Sequence, residues 1–441
     1  MADRIVFIHL PGEIDAVPAG RLMMVEEGTT LVASRFAYGL RYLERANALP
    51  VDPIALPLAQ GRGGAELLPP TGLTLFGALR DATPDAWGRR VIENRLRAPP
   101  NGLPESAYLD HAGPYRAGAL DIRAAPSSQP AAGVLPSLLD LEHLREAAAR
   151  IEVGKPVPAH LELFFAGGPS LGGARPKAVL TAEGREWIAK FPARNDPFNV
   201  PLAERATLEL ARGAGLVVPR TRMERLADGR DVLLIERFDR EPVARGMARR
   251  HMVSALTLLA KHEQEAPDAS YAELADALSQ HGVGGAIAGD REELFARMVF
   301  NILVSNDDDH LRNHALLYDP AGRGWRLSPL YDVVPRPQVA QERLLHLAVG
   351  PRGRLATLDN ALAGAGRFGL RPPEAARIID RVARVVRSWR ETFERLQVPA
   401  QLCDQLATAF RRPADIGLEQ VARHLKGSAR GHGQSKSASL S

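Results

Sequence analysis

An acidic segment directly follows a strongly apolar helix pattern in the second half of the chain. In Leu294–Val304 the apolar residues recur at i, i+3, i+4, i+7 and i+8, the spacing of a buried helical face. Asp290 and Glu293 resemble a capping pair at its start. The next segment, Asn306–Asn313, reads NDDDHLRN. Three adjacent carboxylates after an apolar helix are costly unless they are solvated, capped or neutralised by a cation. This pattern predicts either a solvated turn or a cation site.

The spacing inside the acidic segment favours the cation site. Asp308 and Asn313 are five positions apart, the separation found in the D-x-x-x-x-N loop of protein kinases. A predicted hairpin, with strands His314–Tyr318 and Trp325–Ser328, then leads to Asp332. In phosphoryl transfer one carboxylate accepts the hydroxyl proton, while an amide oxygen and a second carboxylate hold Mg²⁺ against the phosphates. The loop, hairpin and distal aspartate together predict such a site.

The roles of the residues next to Asp308 are less defined by the sequence. Asp307 and Asp309 either raise the local negative potential or cap backbone amides. His310 is either a metal ligand or a structural histidine that bridges the loop and the helix. Only Asp308 has the five-residue spacing to Asn313, and we therefore choose it as the catalytic base.

A glycine-rich segment lies upstream, at Gly167–Lys177, and reads GGPSLGGARPK. Glycines let backbone N–H groups converge on an anion, so this segment is either a phosphate loop or a surface turn. Strands are predicted after it, at Lys177–Thr181 and Glu186–Phe191. Lys190 shares a strand face with Ile188, and a lysine there either reaches solvent or pairs with an anion.

The segment after these strands supplies candidates for a nucleotide site. A helix is predicted over Leu202–Ala214, and its Glu204 either orients Lys190, as the αC glutamate does in kinases, or faces solvent. A short buried strand precedes Glu236–Arg240. Phe238 belongs either to a lobe connection that reads adenine or to the ordinary core, and beyond it the pattern becomes helical.

Composition sets the class of protein and its compartment. Among 441 residues, 45% are hydrophobic and 24% are charged, the profile of a soluble globular protein. The 56 basic and 52 acidic residues are interspersed, so the net charge of +4 permits an anionic ligand without demanding nucleic acid. We expect a cytoplasmic protein with no membrane partner, since neither a spanning segment nor a signal peptide is evident. The single cysteine, Cys403, suits a reducing compartment.

The pattern along the chain predicts four regions. Helices are expected at Glu374–Leu396 and Ala400–Leu425, and the Gly/Ser/Lys-rich tail is expected to be disordered. The predicted regions are an N-terminal subdomain at 1–123, a smaller lobe with the phosphate loop at 137–240, a helical lobe with the acidic loop at 241–426, and the basic tail at 427–441.

Five motifs occur in a fixed order: SLGGARPK, WIAKFP, ERFDR, NDDDHLRNH and LSPLYDVVP. In order and composition they resemble the HipA family of serine/threonine kinase toxins from bacterial toxin–antitoxin modules. The resemblance runs from Gly167 to Pro335 and more loosely over the rest. It implies an α+β, two-lobed protein-kinase-like fold with an additional small β-rich N-terminal subdomain and a helical C-terminal lobe.

The resemblance also implies ATP and Mg²⁺ as cofactors and a role for each motif residue. Asp308 would be the base, Lys190 the phosphate-pairing lysine, and the metal ligands would be Asn313 and Asp332. The remaining residues expected at the nucleotide are Gly172, Gly173, Ala174, Arg175, Pro176, Lys177, Glu236, Phe238, His310 and Tyr331. The sequence departs from the family at Arg312, where lysine is more usual, and at Asp309, where some members have glycine.

Family members have partners and a self-inhibiting switch, which the resemblance extends to this chain. The implied partners are a HipB-like helix-turn-helix antitoxin, the operator DNA it binds, and an aminoacyl-tRNA synthetase as protein substrate. Ser170 matches the loop serine that members autophosphorylate, and a phosphate there would eject the loop. Two alternatives stay open: a small-molecule phosphotransferase, and a catalytically silent partner of the antitoxin.

Overall fold

The computed structural model describes residues 2–60, 64–130, 133–167 and 173–431. Its strands are β1 (Ala2–His9), β2 (Ala16–Glu27), β3 (Thr30–Tyr38), β4 (Leu120–Arg123), β5 (Lys177–Ala182), β6 (Arg185–Lys190), β7 (Thr221–Arg225), β8 (Asp231–Glu236), β9 (Arg240–Val243), β10 (Gly246–Arg249), β11 (Met252–Ser254), β12 (Ala315–Asp319) and β13 (Gly324–Leu327). Its α-helices are α1 (Leu40–Leu43), α2 (Gly77–Asp81), α3 (Ala86–Leu96), α4 (Glu105–His111), α5 (Leu141–Glu152), α6 (Phe164–Gly167), α7 (Val200–Gly213), α8 (Ala255–Leu258), α9 (Tyr271–His281), α10 (Ile287–Val304), α11 (Leu358–Gly364), α12 (Pro372–Arg387), α13 (Trp389–Arg395), α14 (Ala400–Leu406) and α15 (Leu418–Gly431).

These elements form two compact units, each assembled from separate parts of the chain. The first unit contains Met1–Pro201, Pro219–His262 and Ala315–Pro320. The second contains Leu202–Val218, Glu263–His314 and Ala321–Ser441. The first unit holds most of the strands, and the second is mainly helical. None of the helices within the described ranges is both long and apolar enough to cross a membrane.

An antiparallel sheet with the strand order β3-β2-β1-β4 opens the first unit. Its central strand β1 directs Val6 and Ile8 into the core, where both are fully buried. Gly20 on β2 lies against the ring of Phe36 and the carbonyl of Ala37, so a Cβ at this position would collide with both. The sheet therefore accepts only glycine there.

The second sheet of the first unit has the order β5-β6-β8-β7 and is also antiparallel. Trp187 and Ala189 on β6 pack into the core that α5 covers. The opposite face carries Ile188, which packs with Val179 on β5. Both predicted strands are therefore confirmed, and Lys190 follows Ile188 on this second face, as the alternation along the strand predicted.

The segment that follows β8 differs from its prediction. A helical pattern was expected beyond Phe238, but the chain forms the hairpin β9–β10, in which Arg240 is paired with Arg249. Gly246 adopts φ +149° where β10 begins, a conformation that side chains disfavour. The prediction was wrong because this turn and the pairing of the two strands outweigh the apolar spacing.

A buried charge cluster lies between β8 and β9 in the first unit. Asp239 accepts hydrogen bonds from Arg237 Nη2 and Arg240 Nη1, each at 2.8 Å, and from the backbone N–H of Gly118 at 2.8 Å. Arg237 and Arg240 also donate to the carbonyl of Arg116 at 2.8 Å. The ERFDR motif thus fixes the loop that precedes β4. Burial alone would raise the pKa of Asp239, but the two guanidinium charges outweigh it and hold the pKa below its ordinary value.

Helix α10 is the core of the second unit. The predicted helix over Leu294–Val304 is confirmed, and almost every side chain in this stretch is buried. The capping prediction was wrong, because the helix begins earlier, at Ile287. Asp290 instead accepts from Arg326 Nε at 2.8 Å, while Glu293 accepts from the backbone N–H of Val217 at 3.0 Å and from Arg297.

The C-terminal region is more interrupted than the sequence predicted. The helix expected over Glu374–Leu396 is two helices, α12 and α13, with a break at Ser388. Pro413 and Gly417, with φ +92°, interrupt the helix expected over Ala400–Leu425. Helix α15 is assigned to Gly431, residues 432–441 lie outside the described residues, and the disorder expected for the tail at 427–441 stays a prediction.

We predict that Asp239→Asn lowers the free energy of unfolding by about 3–5 kcal/mol at neutral pH, because two buried guanidinium groups then keep only one of their two carboxylate partners, Glu186. The lowered pKa means that the carboxylate stabilises the fold above the unfolded-state pKa of about 3.9 and stops doing so as the pH falls through the folded value. The difference in the free energy of unfolding between wild type and variant should therefore become smaller below about pH 4.

Urea denaturation followed from pH 3 to pH 8 measures this difference. Asp380→Asn is the control, because its carboxylate pairs with Arg384 at the surface, and this change should alter the free energy of unfolding by less than about 1 kcal/mol. A variant at Asp239 that is as stable as the wild type at neutral pH would contradict the prediction.

Candidate active site

The acidic loop begins where α10 ends. Ser305 follows the helix with φ +52° and turns the chain sharply. The backbone carbonyl of Asp308 then accepts from the N–H of His310 and from Asn313 Nδ2, both at 2.9 Å. The Asp308 side chain is 53% exposed, whereas Asn313 is buried. Because the amide nitrogen of Asn313 is bonded within the loop, its Oδ1 is the atom left to act as a ligand.

Asp309 points the opposite way from Asp308 and is buried. Its Oδ2 accepts from the hydroxyl of Tyr271, from Asn301 Nδ2 at 2.7 Å, and lies 3.1 Å from His314 Nε2. Burial would raise the pKa of Asp309, but His314 and these hydrogen bonds outweigh it, so the pKa is lowered and the carboxylate stays ionised. These partners of Asp309 are side chains rather than backbone amides, so the capping role is not what the structure shows, while its contribution to the local negative potential stays a prediction.

Asp307 occupies a third environment. It accepts from Gln338 Nε2 at 2.5 Å and pairs with Arg336 Nε at 3.2 Å. Arg336 also reaches Asp308, with Nη2 2.6 Å from Oδ2, so one guanidinium joins the two carboxylates. Partial burial, followed by repulsion from Asp308, raises the pKa of Asp307 although Arg336 opposes this. The pair between Arg336 and Asp308 is half-exposed and is worth at most about 1 kcal/mol.

Asp332 has a strained backbone at a position predicted to hold the metal. Its φ is +58°, in the left-handed region that costs a non-glycine residue about 1–2 kcal/mol. The preceding residue, Tyr331, donates its hydroxyl hydrogen bond to the carbonyl of Arg312 at 2.7 Å. This bond joins the residue before Asp332 to the residue before Asn313. The second unit therefore holds the two predicted metal ligands on neighbouring, mutually bonded segments.

His310 lies on the same loop and contacts the ring of a second histidine. It precedes the short 3-10 turn Leu311–Asn313, and its ring lies 5.8 Å from the ring of His346 in an edge-on arrangement. Within the part of the chain that the structure describes, no group of three or more His, Cys, Asp or Glu side chains is arranged to hold a metal. A Mg²⁺ ion bound by one amide and one carboxylate would complete its shell with phosphate oxygens and water.

Two lysines lie side by side in the first unit. Lys177 on β5 and Lys190 on β6 are directly paired in the antiparallel register, so they share a face of the sheet. Lys177 is buried and Lys190 is half-buried. Like charges at paired positions destabilise a sheet unless an anion offsets them. Phosphate oxygens are negatively charged hydrogen-bond acceptors, the kind of group that two neighbouring ammonium groups bind.

The end of the glycine-rich segment packs against the first of these lysines. Gly173 has φ +99°, and a Cβ here would collide with Lys177 Nζ. Trp87 on α3 holds both ends of this turn: its backbone N–H donates to the Gly173 carbonyl at 3.2 Å, and its Nε1 donates to the Lys177 carbonyl at 2.9 Å. Sequence reasoning missed Trp87, because no local pattern links it to a segment about ninety residues away.

The remaining predicted nucleotide residues occupy varied environments. Arg175 pairs with Asp196, the carbonyl of Pro176 accepts from Phe191 at 3.0 Å, and Ala174 is exposed. Ser170 and Gly172 lie outside the described residues.

Three further predicted residues lie where β8 ends and α7 begins. Glu236, the last residue of β8, pairs with Arg185 at 2.6 Å and with Arg220 at 3.3 Å. Phe238 is half-buried. Glu204, in the second unit, is buried, so the solvent-facing alternative for it is wrong, while its pairing with Lys190 stays a prediction.

Comparisons with known proteins place the chain in a family. The model of the HipA-like C-terminal domain matches residues 169–389, about half of the chain. Y4mE of Sinorhizobium fredii, named as a candidate kinase, is 27% identical over 352 residues, which cover 74% of this chain and 77% of that protein. A candidate kinase of Haemophilus influenzae is 27% identical over 199 residues, 41% of this chain and a little over half (57%) of the relative.

A solved structure shares the fold. It is described as the Shewanella oneidensis toxin–antitoxin system HipA, HipB and its operator DNA complex, and the match has a TM-score of 0.66 at 19% identity. The match covers 96% of this chain and 97% of that chain, so it confirms the predicted α+β fold class. With half of its length matched by the family model, this chain belongs to the HipA family.

Proposed function

We propose that this protein is an ATP- and Mg²⁺-dependent serine/threonine protein kinase that acts as the growth-inhibiting toxin of a toxin–antitoxin module. The observation that carries the proposal is the geometry of the acidic loop: an exposed Asp308 carboxylate stands five residues from an Asn313 amide whose nitrogen is bonded to the Asp308 carbonyl. Family membership and the candidate kinases among the relatives support the same activity.

In the proposed reaction, Asp308 accepts the proton of the acceptor hydroxyl as the hydroxyl oxygen bonds to the γ-phosphorus of ATP. The bond between the γ-phosphorus and the bridging β–γ oxygen breaks, and ADP leaves. The acceptor must first displace Arg336 from Asp308, which costs little because that ion pair is half-exposed. When bound, Mg²⁺ neutralises charge on the phosphate oxygens, and Asn313 and Asp332 are its proposed protein ligands.

The lysine pair of the first unit is proposed to bind the phosphates. Lys190 and Lys177 are paired across two strands, and Gly173 packs against the Lys177 ammonium. An anion bound at this pair would be attracted by both ammonium groups. We place Glu236 and Phe238 at the adenine, Tyr331 and His310 beside the metal and phosphates, and the segment from Gly172 to Lys177 along the phosphate chain.

The proposed module supplies the partners and a switch. The related structure holds HipA with HipB and operator DNA, and we propose a HipB-like helix-turn-helix antitoxin, and through it operator DNA, as partners of this chain. An aminoacyl-tRNA synthetase is the proposed protein substrate. Ser170, which lies outside the described residues, is the proposed autophosphorylation site, where an added phosphate would eject the loop and spoil the ATP site.

Asp308→Asn is expected to lower phosphate transfer by about 10²–10⁴-fold, because the variant lacks the proton acceptor but keeps its shape. Purified wild type and variant are incubated with γ-labelled ATP and Mg²⁺, with and without cell extract, and labelled peptides are mapped. Asp404→Asn, an exposed aspartate on α14, is the matched control and should retain full transfer.

The outcomes of this experiment separate the candidate functions. Label on Ser170 or on an extract protein that only the wild type and control produce supports the protein kinase. Label confined to small metabolites would point to a small-molecule phosphotransferase. No transfer by the wild type, together with tight binding of the antitoxin, would point to a silent partner, and transfer by the variant at Asp308 would overturn the choice of base.

Asp332→Asn should raise the Mg²⁺ concentration needed for half-maximal transfer by about 10–100-fold, since a charged ligand becomes a neutral one. Asparagine tolerates the left-handed backbone of this position better than alanine, so the fold should persist. Transfer is measured across a Mg²⁺ titration at saturating ATP, with circular dichroism to verify folding. An unchanged Mg²⁺ requirement in the folded variant would exclude Asp332 as a ligand.

A further inference from the structure

We propose that Asp309 and His314 form a buried clamp that holds Asp308 and Asn313 at their working separation, so that both act as positioning residues. The clamp rests on the proposed function, because it concerns the residues placed there as base and metal ligand. Asp309 directly follows Asp308, and His314 directly follows Asn313. The 3.1 Å contact between Asp309 Oδ2 and His314 Nε2 therefore closes the base of the loop.

The clamp is shielded from water. Asp309 is 1% exposed and His314 is fully buried. A hydrogen bond to an ionised group in such surroundings is stronger than one at the surface, because water does not compete for either partner. The contact between Asp309 and His314 is therefore stable. It differs from the half-exposed ion pair between Arg336 and Asp308, which water can replace.

Two helices tie the clamp to the core of the second unit. Asn301 on α10 donates to Asp309 at 2.7 Å, and Tyr271 on α9 donates to the same oxygen. Asn301 also donates to the Tyr271 hydroxyl at 3.1 Å, and the rings of Tyr271 and His314 meet edge-on with centroids 5.6 Å apart. One carboxylate oxygen thus collects donors from both helices and from the far end of the loop.

Because Asp309 and Asp308 are adjacent in the chain, the buried Asp309 fixes the position of the exposed Asp308. Asp309 is buried while the side chain of the adjacent Asp308 is 53% exposed, so the buried contact fixes the backbone from which Asp308 reaches solvent. At the other end, His314 points inward, and Asn313 next to it keeps its bond to the Asp308 carbonyl at 2.9 Å. A shift of about 1 Å in a reacting group is enough to cost about 10²-fold in rate.

A purely structural role predicts a different outcome from a positioning role. If these residues only stabilise the fold, a folded variant should retain its rate per folded molecule. If they position the loop, the folded variant should lose kcat while the affinity for ATP, which the first unit is proposed to supply, stays near that of the wild type. The Asp309→Asn variant separates the two, because it keeps the size of the side chain and places an amide among existing donors.

The test measures kcat, the KM for ATP and the hydrogen–deuterium exchange of the peptide 306–313 in full-length wild type and Asp309→Asn. We expect kcat to fall by about 10–100-fold with KM within about threefold, and the amides of this peptide to exchange about tenfold faster while those of α12 do not change. His314→Gln should show the same pattern, and the double variant should lose no more than the stronger single variant, because both residues belong to one contact.

Two further variants keep the test decisive. Asp276→Asn on α9 is the control, since its carboxylate forms an exposed pair with Arg367. If Asp309→Asn does not fold, Tyr271→Phe, which removes one donor and no charge, is measured in its place. A folded variant with unchanged kcat and unchanged exchange overturns the clamp. If the wild type itself transfers no phosphate, the proposed function fails, and the exchange data still decide whether the clamp holds the loop.

Discussion

Three adjacent carboxylates at the end of a buried helix must be accommodated within a few ångströms, and the acidic loop meets this constraint by giving each one a different environment. Asp307 pairs with Arg336 and Gln338, Asp308 is exposed, and Asp309 is buried among side-chain donors. This separation lets one aspartate hold the loop while its neighbour stays accessible. The same turn fixes the amide of Asn313, so the loop is ordered by its own hydrogen bonds.

The first unit also brings like charges close together, in the arginines of the ERFDR motif and in the lysine pair of β5 and β6. The buried arginines of the ERFDR motif are compensated by Asp239 and Glu186. The lysines of β5 and β6 lie at directly paired positions, where like charges repel. The arginine charges are thus offset by carboxylates of the same unit, and for the lysine pair we propose an anionic ligand. Trp87 adds a link between the N-terminal region and the turn at Gly173, so the end of the glycine-rich segment is held from outside its own sheet.

The parts of this protein that sequence alone predicted are those with local signals. The strands around Lys190 and the core of α10 follow from alternation and helical periodicity, and the five ordered motifs identified the fold class. The start of α10 was missed because Asp290 and Glu293 bond to distant partners, Arg326 and Val217, rather than to their own helix. The role of Asp309 was missed for the same reason, since Tyr271 is 38 positions away in the sequence. Contacts between residues that are far apart in the sequence produce no local spacing pattern, so the sequence alone does not predict them.

The central claim is that a single divalent cation is bound by the Asn313 amide and the Asp332 carboxylate. A crystal structure of the full-length chain with Mg²⁺ and a non-hydrolysable ATP analogue tests it most directly. The account predicts Mg²⁺ at about 2.0–2.3 Å from Asn313 Oδ1 and from an Asp332 carboxylate oxygen, with phosphate oxygens completing the shell. A Mg²⁺–nucleotide complex bound without contact to either side chain would contradict it.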